Sequence, residues 1–497
     1  MLRCNRVAQF GVTAISINYL HFGIRVAPQY AKSECVSAPR GDLVPAEQGE
    51  AMMMRLNQVT TALIRLIPLT VLVVLWPVAA SATDGHFLHG AGPVNEAMGG
   101  ADTGLCLDAT GSIAWNPACT AWFKGRRFEI HATLFEPWRS LSSTVDANAF
   151  GTGMPGVTLS GTTTSKRDMS VMPGIAFVYH RQGSANAYHI GVLAVSGFGV
   201  DYAENTDFSN PILTPQAPNG FGFGRIRSNY MLMTVPIGVA RQVTERLAVG
   251  FSAVPALSML QVIPAPFASP VTAGSTSAYY LAAGNNASTM GGGFSAGVHY
   301  TFGKASIGVS YRSPVWFRDF KWNRGDLTGV KHQMSFQMNL PQVVSAGVGL
   351  SPAKNTRVGV DVRWFNYANT AGFEKVGYTS TGAVAGFGWN NIWAVGGGVQ
   401  QRVSRSVKLM GGYNFSQNPV PDKYTFFNTP APAIVQHHAS GGAVWSMGNV
   451  DMVATYYHAF KNSITGPWIS GAGAIPGTSV TSKMSENSLT IGFAKDF

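Results

Sequence analysis

Apolar and polar residues alternate through most of this chain, and the last thirteen residues show the pattern clearly. In SENSLTIGFAKDF (485–497), one face carries Leu489, Ile491, Phe493 and Phe497, and the residues between them are small or polar. A repeat of two is the period of a β-strand with one apolar face. Because protein chains usually end in a loosely held tail, a strand that ends on an aromatic ring calls for a structural reason.

The same alternation recurs upstream. RVGVDVRWFNY (357–367) and SVKLMGGYNFS (406–416) both place valine, leucine or aromatic residues on one face and mostly polar residues or glycine on the other. A soluble β-sandwich would give this alternation too, so the pattern predicts strands without deciding the compartment.

The connections between the predicted strands alternate between short and long. Tight turns are predicted at VTER (243–246), FGK (302–304), PAKN (352–355), VSR (403–405) and MGN (447–449). Between them lie long stretches rich in Gly, Pro, Ser and Asn, near 201–226, 263–288, 318–330, 368–390, 417–434 and 462–484. Short turns on one side and long loops on the other are typical of outer-membrane barrels.

These signals predict an all-β fold, a 14-stranded antiparallel transmembrane β-barrel. The predicted strands are 127–139, 169–181, 187–200, 227–242, 246–262, 289–301, 304–317, 331–351, 356–367, 391–402, 406–416, 435–446, 450–461 and 485–497. The eighth contains Pro341 and is kept whole, because splitting it would make the number odd. In hydrocarbon a sheet must close on itself, so the last strand is expected to pair with the first. Phe493 and Phe497 are then barrel-closure residues, with Phe497 at an interfacial position.

Composition supports a membrane barrel. Only 12% of residues are charged, about half the usual share of about 25%. The chain has 57 glycines and a mean hydropathy of only +0.10. A bundle of transmembrane helices would have a higher mean hydropathy. The net charge of +11 is compatible with anionic head groups or acidic solutes.

The first 82 residues are predicted to be removed or non-native. Residues 52–82 fit a signal peptide, with Arg55 and Arg65, a short apolar centre and the small residues Ala80-Ser81-Ala82. Residues 1–51 are interpreted as non-native upstream translation, with a genuine N-terminal extension as the alternative. Sec-type export to the outer membrane of a Gram-negative cell is expected.

Two cysteines remain after the leader, Cys106 and Cys119. In an oxidising compartment they are either a disulfide or two buried thiols. No zinc spacing of Cys and His occurs, and neither a metal nor a cofactor is expected.

Residues 83–126 precede the first predicted strand and lack sustained alternation. They are rich in Gly and Ala but contain Trp115, Trp122 and Phe123, which favours a folded segment over a disordered leader. A lumen of fourteen strands is too wide for its own side chains to fill. The segment is therefore predicted to be a hatch that plugs the barrel, with residues 127–497 forming the barrel itself.

Several stretches resemble one known family. They are GPVNEAMGGA (92–101), DATGSIAWNPA (108–118), VPIGVARQVTERLAVG (235–250), NLPQVVSAGVGL (339–350), DVRWFNY (361–367) and GGYNFSQNPVPD (411–422). The chain resembles the FadL/TodX outer-membrane transporters of long-chain fatty acids and aromatic hydrocarbons over nearly its whole exported length. The resemblance implies a fourteen-stranded barrel with an N-terminal hatch and passive uptake of hydrophobic compounds. Cys106, Cys119 and Lys495 depart from the family pattern.

The candidate hatch motif is Asn116-Pro117-Ala118, with Gly99 and Gly100. Pro117 fixes φ and lacks a donor, and the Asn116 side chain can bond to nearby backbone, so this turn is a candidate for holding the hatch. The reason to assign this turn a function is the family resemblance.

The ligand-binding candidates are Phe87, Leu88, Arg225 and Arg227. The two arginines either pair with a fatty-acid carboxylate or are solvated or bound to lipopolysaccharide.

A lateral exit is considered at the third strand, AYHIGVLAVSGFGV (187–200). FadL-like proteins have a gap beside a kinked third strand, and glycine within a strand often marks a bulge. Gly197 and Gly199 are the candidate lateral gate. The alternative is that glycine is simply abundant.

Other functions are weighed against this one. Gly293-Phe294-Ser295-Ala296-Gly297 matches the esterase pattern G-x-S-x-G, but that motif needs a strand-to-helix elbow, and here it lies within a predicted strand. His437 and His438 are adjacent and point to opposite faces of a strand. No phosphate loop and no basic-aromatic nucleic-acid surface is found.

The protein is expected to be a monomer. Its expected partners are hydrophobic small molecules, outer-membrane lipid, lipopolysaccharide and the barrel-assembly machinery. A general porin for small polar solutes is the main rival function.

Overall fold

The computed structural model describes residues 84–167, 169–272 and 278–497. The predicted leader, the predicted upstream extension and Thr83 lie outside these ranges. Ahead of the first strand, the chain forms helix α1 (Pro93–Ala97), helix α2 (Ala109–Trp115) and a 3₁₀ helix (Pro117–Trp122). Further 3₁₀ helices are Pro211–Leu213, Tyr367–Asn369 and Asp422–Asn428. Within the described ranges, no helix is long and apolar enough to cross a membrane.

Strands make up most of the described chain. They are β1 (Gly125–Val145), β2 (Leu159–Thr164), β3 (Ser170–His180), β4 (Asn186–Tyr202), β5 (Ile226–Thr234), β6 (Ile237–Gln242), β7 (Leu247–Ile263), β8 (Val271–Thr272), β9 (Ala278–Tyr279), β10 (Ala283–Phe302), β11 (Ala305–Arg312), β12 (Trp316–Phe317), β13 (Phe320–Gly325), β14 (Lys331–Phe336), β15 (Val343–Ala353), β16 (Thr356–Phe365), β17 (Ile392–Arg402), β18 (Val407–Ser416), β19 (His437–Met447), β20 (Val450–Gly466), β21 (Ile469–Ser470), β22 (Gly473–Ala474) and β23 (Thr478–Asp496).

Fourteen antiparallel strands close into a barrel, as predicted. They are β1, β3, β4, β5 with β6, β7, β10, β11 with β12, β15 to β20, and β23. The last strand pairs with the first along its whole length, from Arg127 opposite Asp496 to Val145 opposite Thr478. No sheet edge is left at the seam, which explains the terminal strand: it completes the ladder that hydrocarbon requires.

The burial pattern of the strands is inverted relative to a soluble protein. On β16, Val360 is 48% exposed while its neighbour Asp361 is 2% exposed. On β23, Ile491 and Phe493 are each 46% exposed, whereas Thr490 is fully buried. Apolar side chains therefore form the outer surface and polar ones face the lumen, the arrangement of a barrel in lipid.

The interpretation of 331–351 as one strand was wrong. Its first part, β14, pairs with β13 in a separate hairpin, and the barrel strand β15 begins only at Val343. Pro341 lies in the break, where its missing N–H could not contribute to a ladder. The number of barrel strands is still fourteen, because the hairpin is not part of the barrel wall.

Several strands extend beyond their predicted ends at the side with long connections. β1, β10, β20 and β23 all continue into stretches that were predicted to be loop, and β2 pairs with the far end of β1. The seventh strand breaks between β11 and β12, and β1 begins at Gly125 rather than 127. Residues 84–124 are called the hatch from here on.

Candidate functional site

The barrel wall has a gap between β3 and β4. The ladder between these strands runs from His180 opposite Ala187 up to Gly174 opposite Leu193 and stops there. The next link toward the long-loop end is Lys166 N–H to Asp201 O, at 2.7 Å. Among the described residues, which leave out Asp168, no ladder joins β3 to residues 194–200 of β4. Part of the β4 backbone edge is thus open to another partner.

The beginning of the hatch occupies this edge. Phe87 pairs antiparallel with Ser196. Leu88 N–H donates to Val195 O at 3.2 Å, and Gly197 N–H donates to His86 O, also at 3.2 Å. The candidates Phe87, Leu88 and Gly197 therefore meet in one place, with Phe87 fully buried and Leu88 nearly so. The hatch supplies a short strand where the wall lacks one.

The wall is also irregular on the other side of β4. The register between β4 and β5 shifts between Ala194 and Ser196, and the fourth barrel strand is interrupted at Val235 and Pro236. A Cβ on Gly199 would lie 2.7 Å from Nε of Arg167. Gly199 therefore leaves room for Arg167, whose guanidinium donates to Ser228 O at 3.2 Å.

An aromatic cluster lines the lumen beside the gap. Its rings lie 4.6–6.3 Å from one or more neighbours and belong to His86, Phe87, Phe198, Tyr230, Phe365, Tyr367, Phe373, Phe387 and Trp389. The Tyr367 hydroxyl donates to Asp84 O at 3.0 Å and lies 2.9 Å from Nδ1 of His86. The hatch segment in the gap is thus attached to the cluster.

Apolar packing continues from this cluster toward the long loops. Val200 and Tyr202, further along β4, belong to a second buried cluster with Phe426, Phe427 and Trp468. A narrow cavity of about 20 Å³ lies among the loops, lined by Phe223, Ile226, Ile263, Pro264, Pro266, Val384, Phe426, Phe427, Thr429 and Pro430. Buried apolar side chains of two clusters therefore lie between the gap and the long loops.

The Asn116-Pro117-Ala118 turn connects the hatch to the wall. Asn116 Oδ1 accepts from Ala118 N–H at 3.1 Å, which closes the turn. Its Nδ2 donates to Thr103 O at 2.9 Å and to Val298 O on β10 at 3.1 Å. One side chain therefore bonds to the turn, to the hatch and to the barrel.

Buried charges of the wall hold hatch backbone. Glu129 on β1 accepts from the N–H groups of Ala109 and Thr110, at 3.0 and 2.9 Å, at the start of α2. Asp361 on β16 accepts from the N–H groups of Asp102 and Thr103, at 2.9 and 2.8 Å. Hydrogen bonds to ionised groups are among the stronger ones in proteins.

Arg363 is a buried cation of the barrel wall that contacts the hatch. Its guanidinium donates to His89 O at 2.8 Å and to Gly100 O, and it lies 3.7 Å from the centre of the Trp115 ring. Asp361 is 3.4 Å away. The alternation in 357–367 predicts that Asp361 and Arg363 share the polar face of a strand, but it assigns no function to either residue. The available signal was the presence of three charged residues, Arg357, Asp361 and Arg363, on one strand of a chain with few charges.

A hatch carboxyl is buried against the seam of the barrel. Glu96 of α1 accepts from Thr490 on β23 at 2.5 Å and from Thr133 on β1 at 3.4 Å. Burial raises the pKa of Glu96 to about 8, although both hydroxyl donors act to lower it. The hatch therefore contacts the first and the last strand through one side chain.

Inward-facing glycines let the hatch backbone come close to the wall. A Cβ on any of ten glycines would lie closer than 3.0 Å to a hatch atom: Gly250, Gly297, Gly308, Gly347, Gly349, Gly359, Gly396, Gly398, Gly412 and Gly492. They belong to eight strands. Gly99 and Gly100, the predicted hatch glycines, have φ of +64° and +84°, a region that favours glycine. This ring of ten glycines is called the glycine ring below.

Cys106 and Cys119 are joined by a disulfide within the hatch. His299 on β10 lies beside it, and its Nδ1 accepts from Trp122 Nε1 at 2.8 Å while its Nε2 lies 3.1 Å from Gly104 O. The ligand atoms of these three side chains come within 4.8 Å of one another. In this arrangement the sulfurs are bonded to each other and both ring nitrogens have hydrogen-bond partners.

Other predicted residues are not part of the gap. Arg225 forms an ion pair with Asp201 at 2.7 Å. Ser295 is buried within β10, opposite Ser252 and Arg312, and is not at a strand-to-helix elbow. His437 is exposed whereas His438 is 1% exposed, so the two lie on opposite faces of β19. Phe493 and Phe497 lie on the outer surface near the seam, with Phe497 N–H donating to Arg126 O at 2.9 Å.

The barrel and its hatch match a known family. Residues 88–494 match the family model described as outer membrane protein transport protein (OMPP1/FadL/TodX). The chain belongs to this family. Its members are outer-membrane transport proteins, so the short-turn end of the barrel is the periplasmic end. A comparison with curated protein sequences finds no match.

Solved structures show the same fold. The toluene transporter TodX of Pseudomonas putida is 15% identical, with a TM-score of 0.60, covering 82% of this chain and 99% of that one. The toluene transporter TbuX of Ralstonia pickettii is 17% identical, with a TM-score of 0.58 and coverage of 82% and 99%. A FadL homologue of Pseudomonas aeruginosa is 12% identical, with a TM-score of 0.61 and coverage of 83% and 100%.

Proposed function

We propose that this protein is a passive outer-membrane channel for hydrophobic compounds, which leave sideways through the gap between β3 and β4. The observation that carries this proposal is the short hatch strand at Phe87, which occupies the open edge of β4. Two backbone hydrogen bonds to β4 hold it there, together with Ser196 Oγ, which donates to His86 O at 2.6 Å, and the Tyr367 hydroxyl. When this strand withdraws, the gap opens from the lumen to the lipid while the rest of the wall stays closed.

The chemistry of the lining supports an apolar cargo. The aromatic cluster lies on the lumen side of the gap, and apolar packing extends from it to the long loops. Such a surface favours molecules that partition out of water. Two of the structural neighbours are toluene transporters by name and one is a FadL homologue, so the cargo class is long-chain fatty acids or aromatic hydrocarbons. The channel acts as a monomer and without catalysis.

The export and setting of the barrel complete the proposal. A Sec-type signal at 52–82 directs the chain outward, and the barrel-assembly machinery inserts it. Arg225 and Arg227 lie at the long-loop end of β5, next to the outer leaflet, where lipopolysaccharide phosphates are natural partners for guanidinium groups.

A reversible lock tests the lateral route. Phe87 and Ser196 are directly opposite each other, so the double variant F87C/S196C places two thiols where oxidation can join the hatch strand to β4. We expect oxidation to abolish uptake of labelled toluene and oleate in cells, and reduction to restore it. The single variants F87C and S196C, given the same redox treatment, control for effects on the native disulfide.

The same assay separates the rival functions. Oxidised F87C/S196C that still folds, as shown by heat-modifiable migration on a gel, and still takes up both compounds at the normal rate would refute lateral release. Uptake of a small sugar without uptake of toluene or oleate in the wild type would instead indicate a general porin.

A further inference from the structure

A second cavity lies under the hatch at the periplasmic end of the barrel. Its volume is about 300 Å³, and its walls are the periplasmic ends of β16, β17, β18, β19, β20, β23 and β1. Its roof is the hatch, through Pro93, Val94 and Leu107. None of its lining residues belongs to β4 or to residues 84–88, so it is separate from the gap.

One side of this cavity is strongly basic. Lys354, Arg357, Arg402 and Lys408 line it from three successive strands and one turn. None of these four side chains has an ion pair within 4.0 Å among residues 84–167, 169–272 and 278–497. These four residues are called the basic arc. Like charges gathered in one wall repel one another, and an anion in the cavity would relieve that repulsion.

Four acidic side chains also line the cavity: Asp108, Glu129, Asp451 and Asp496. Arg127 pairs with Glu129 at 2.6 Å and with Asp496 at 3.0 Å, and it lies 3.9 Å from Asp451. Glu129 also accepts the N–H groups at the start of α2. Glu129 and Asp496 therefore have Arg127 as a partner, whereas Asp451 also interacts electrostatically with Lys408 of the basic arc. With five Arg and Lys side chains against four Asp and Glu side chains, the lining keeps an excess of positive charge, and it lies on the side of the basic arc.

We propose that this cavity binds a small organic carboxylate from the periplasm. Guanidinium groups match a carboxylate with two parallel hydrogen bonds, which Arg357 and Arg402 supply. The apolar part of the ligand packs against Val94 and Leu107 of the hatch. The volume lies at the lower end of the range for small-molecule sites, about 300–1,000 Å³. This site goes beyond the proposed channel function and does not depend on it.

Calorimetric titration of the purified barrel in lipid nanodiscs tests the proposal, with benzoate as the probe. Benzamide has the same ring without the charge, and inorganic phosphate has charge without the ring. We expect benzoate to bind, benzamide and phosphate to bind at least about tenfold more weakly, and benzoate affinity to fall as salt is raised.

Matched variants locate the binding. R357Q/R402Q removes two charges from the basic arc. Benzoate affinity is expected to fall by at least about tenfold, because the loss of even one charge-assisted hydrogen bond has an effect of this size. R246Q/R405Q removes two charges from periplasmic turns outside the cavity and should bind benzoate as the wild type does. Heat-modifiable migration shows whether each variant is folded.

Three results would overturn the proposal: equal binding of benzoate and benzamide, phosphate binding as tightly as benzoate, or unchanged benzoate affinity in folded R357Q/R402Q. Because the readout is equilibrium binding, it is independent of toluene or oleate uptake. A channel without this site and a site without channel activity are therefore distinguishable.

Discussion

Replacing Gly398 by alanine should loosen the hatch without unfolding the barrel. Gly398 is a member of the glycine ring on β17, and a Cβ there would lie 2.7 Å from both Cα and O of Met98. Ordinary contact begins at 3.4 Å, so the hatch must retreat by 3.4 − 2.7 = 0.7 Å at this point. Both atoms are backbone, and no side-chain rotation can relieve the overlap.

The expected magnitude follows from overpacking. Extra methyl groups in a well-packed interior usually cost about 1–3 kcal/mol, which corresponds to about 5- to 150-fold more frequent opening of the hatch. Gly411 on the adjacent strand β18 is the matched control, because a Cβ there would meet only Ser440 O at 3.9 Å. Any effect of alanine on the unfolded chain is shared by both variants.

Hydrogen exchange measured by mass spectrometry in nanodiscs reports the result. Peptides that cover 93–101 should exchange faster in G398A than in the wild type, while peptides from the barrel strands and all peptides of G411A remain unchanged. If G398A and G411A exchange alike, or if the barrel strands of G398A lose protection together with the hatch, the role assigned to the glycine ring is wrong.

Three further predictions concern the hatch. Mass spectrometry of the unreduced exported protein should find no free thiol, and C106S/C119S should lower hatch stability by about 3 kcal/mol in the loop-entropy model; two free thiols in the wild type would contradict this. Burial raises the pKa of Glu96 to about 8, against about 4.3 in the unfolded chain. The contribution of Glu96 to hatch stability is therefore fully present below pH 4.3 and falls as pH rises toward 8. After correction for intrinsic exchange rates, the wild-type hatch should lose protection over that interval and E96Q should not; equal pH dependence in both would exclude Glu96 as the cause. R363M should destabilise the hatch by about 3–5 kcal/mol, because it leaves buried partners of a cation unpaired, and urea titration of hatch accessibility to a protease measures this against the wild type.

The barrel was largely predictable from sequence because its rules are local. Each strand alternates between lipid and lumen, so Val360 and Asp361 can be assigned to opposite faces without knowledge of the rest of the chain. The eighth strand was mispredicted for a related reason. Parity favoured one strand over 331–351, whereas Pro341 marked the break, and only the pairing of β13 with β14 shows where the extra residues go.

The hatch contacts were less predictable because they depend on tertiary position. Glu129, Asp361 and Arg363 read as polar lumen residues, and nothing local says which hatch groups they will meet. Glycine was interpreted only at Gly197 and Gly199, with simple abundance as the alternative. Its inward positions, such as Gly398, are informative only once the hatch is placed against them. Phe87 and Leu88 were predicted to be ligand-binding residues. Their pairing with β4 could not be predicted, because the gap between β3 and β4 is seen only in the structure.

The contacts of the hatch impose an order of assembly. The hatch is the first part of the exported domain to be synthesised, yet its anchors lie far along the chain: Glu129 on β1, Asp361 on β16 and Thr490 on β23. Glu96 in particular bridges the two strands that meet only when the ring of strands is complete. The first segment of the exported domain to be synthesised can therefore dock completely only after the last strand has paired with the first, so a docked hatch requires a closed barrel.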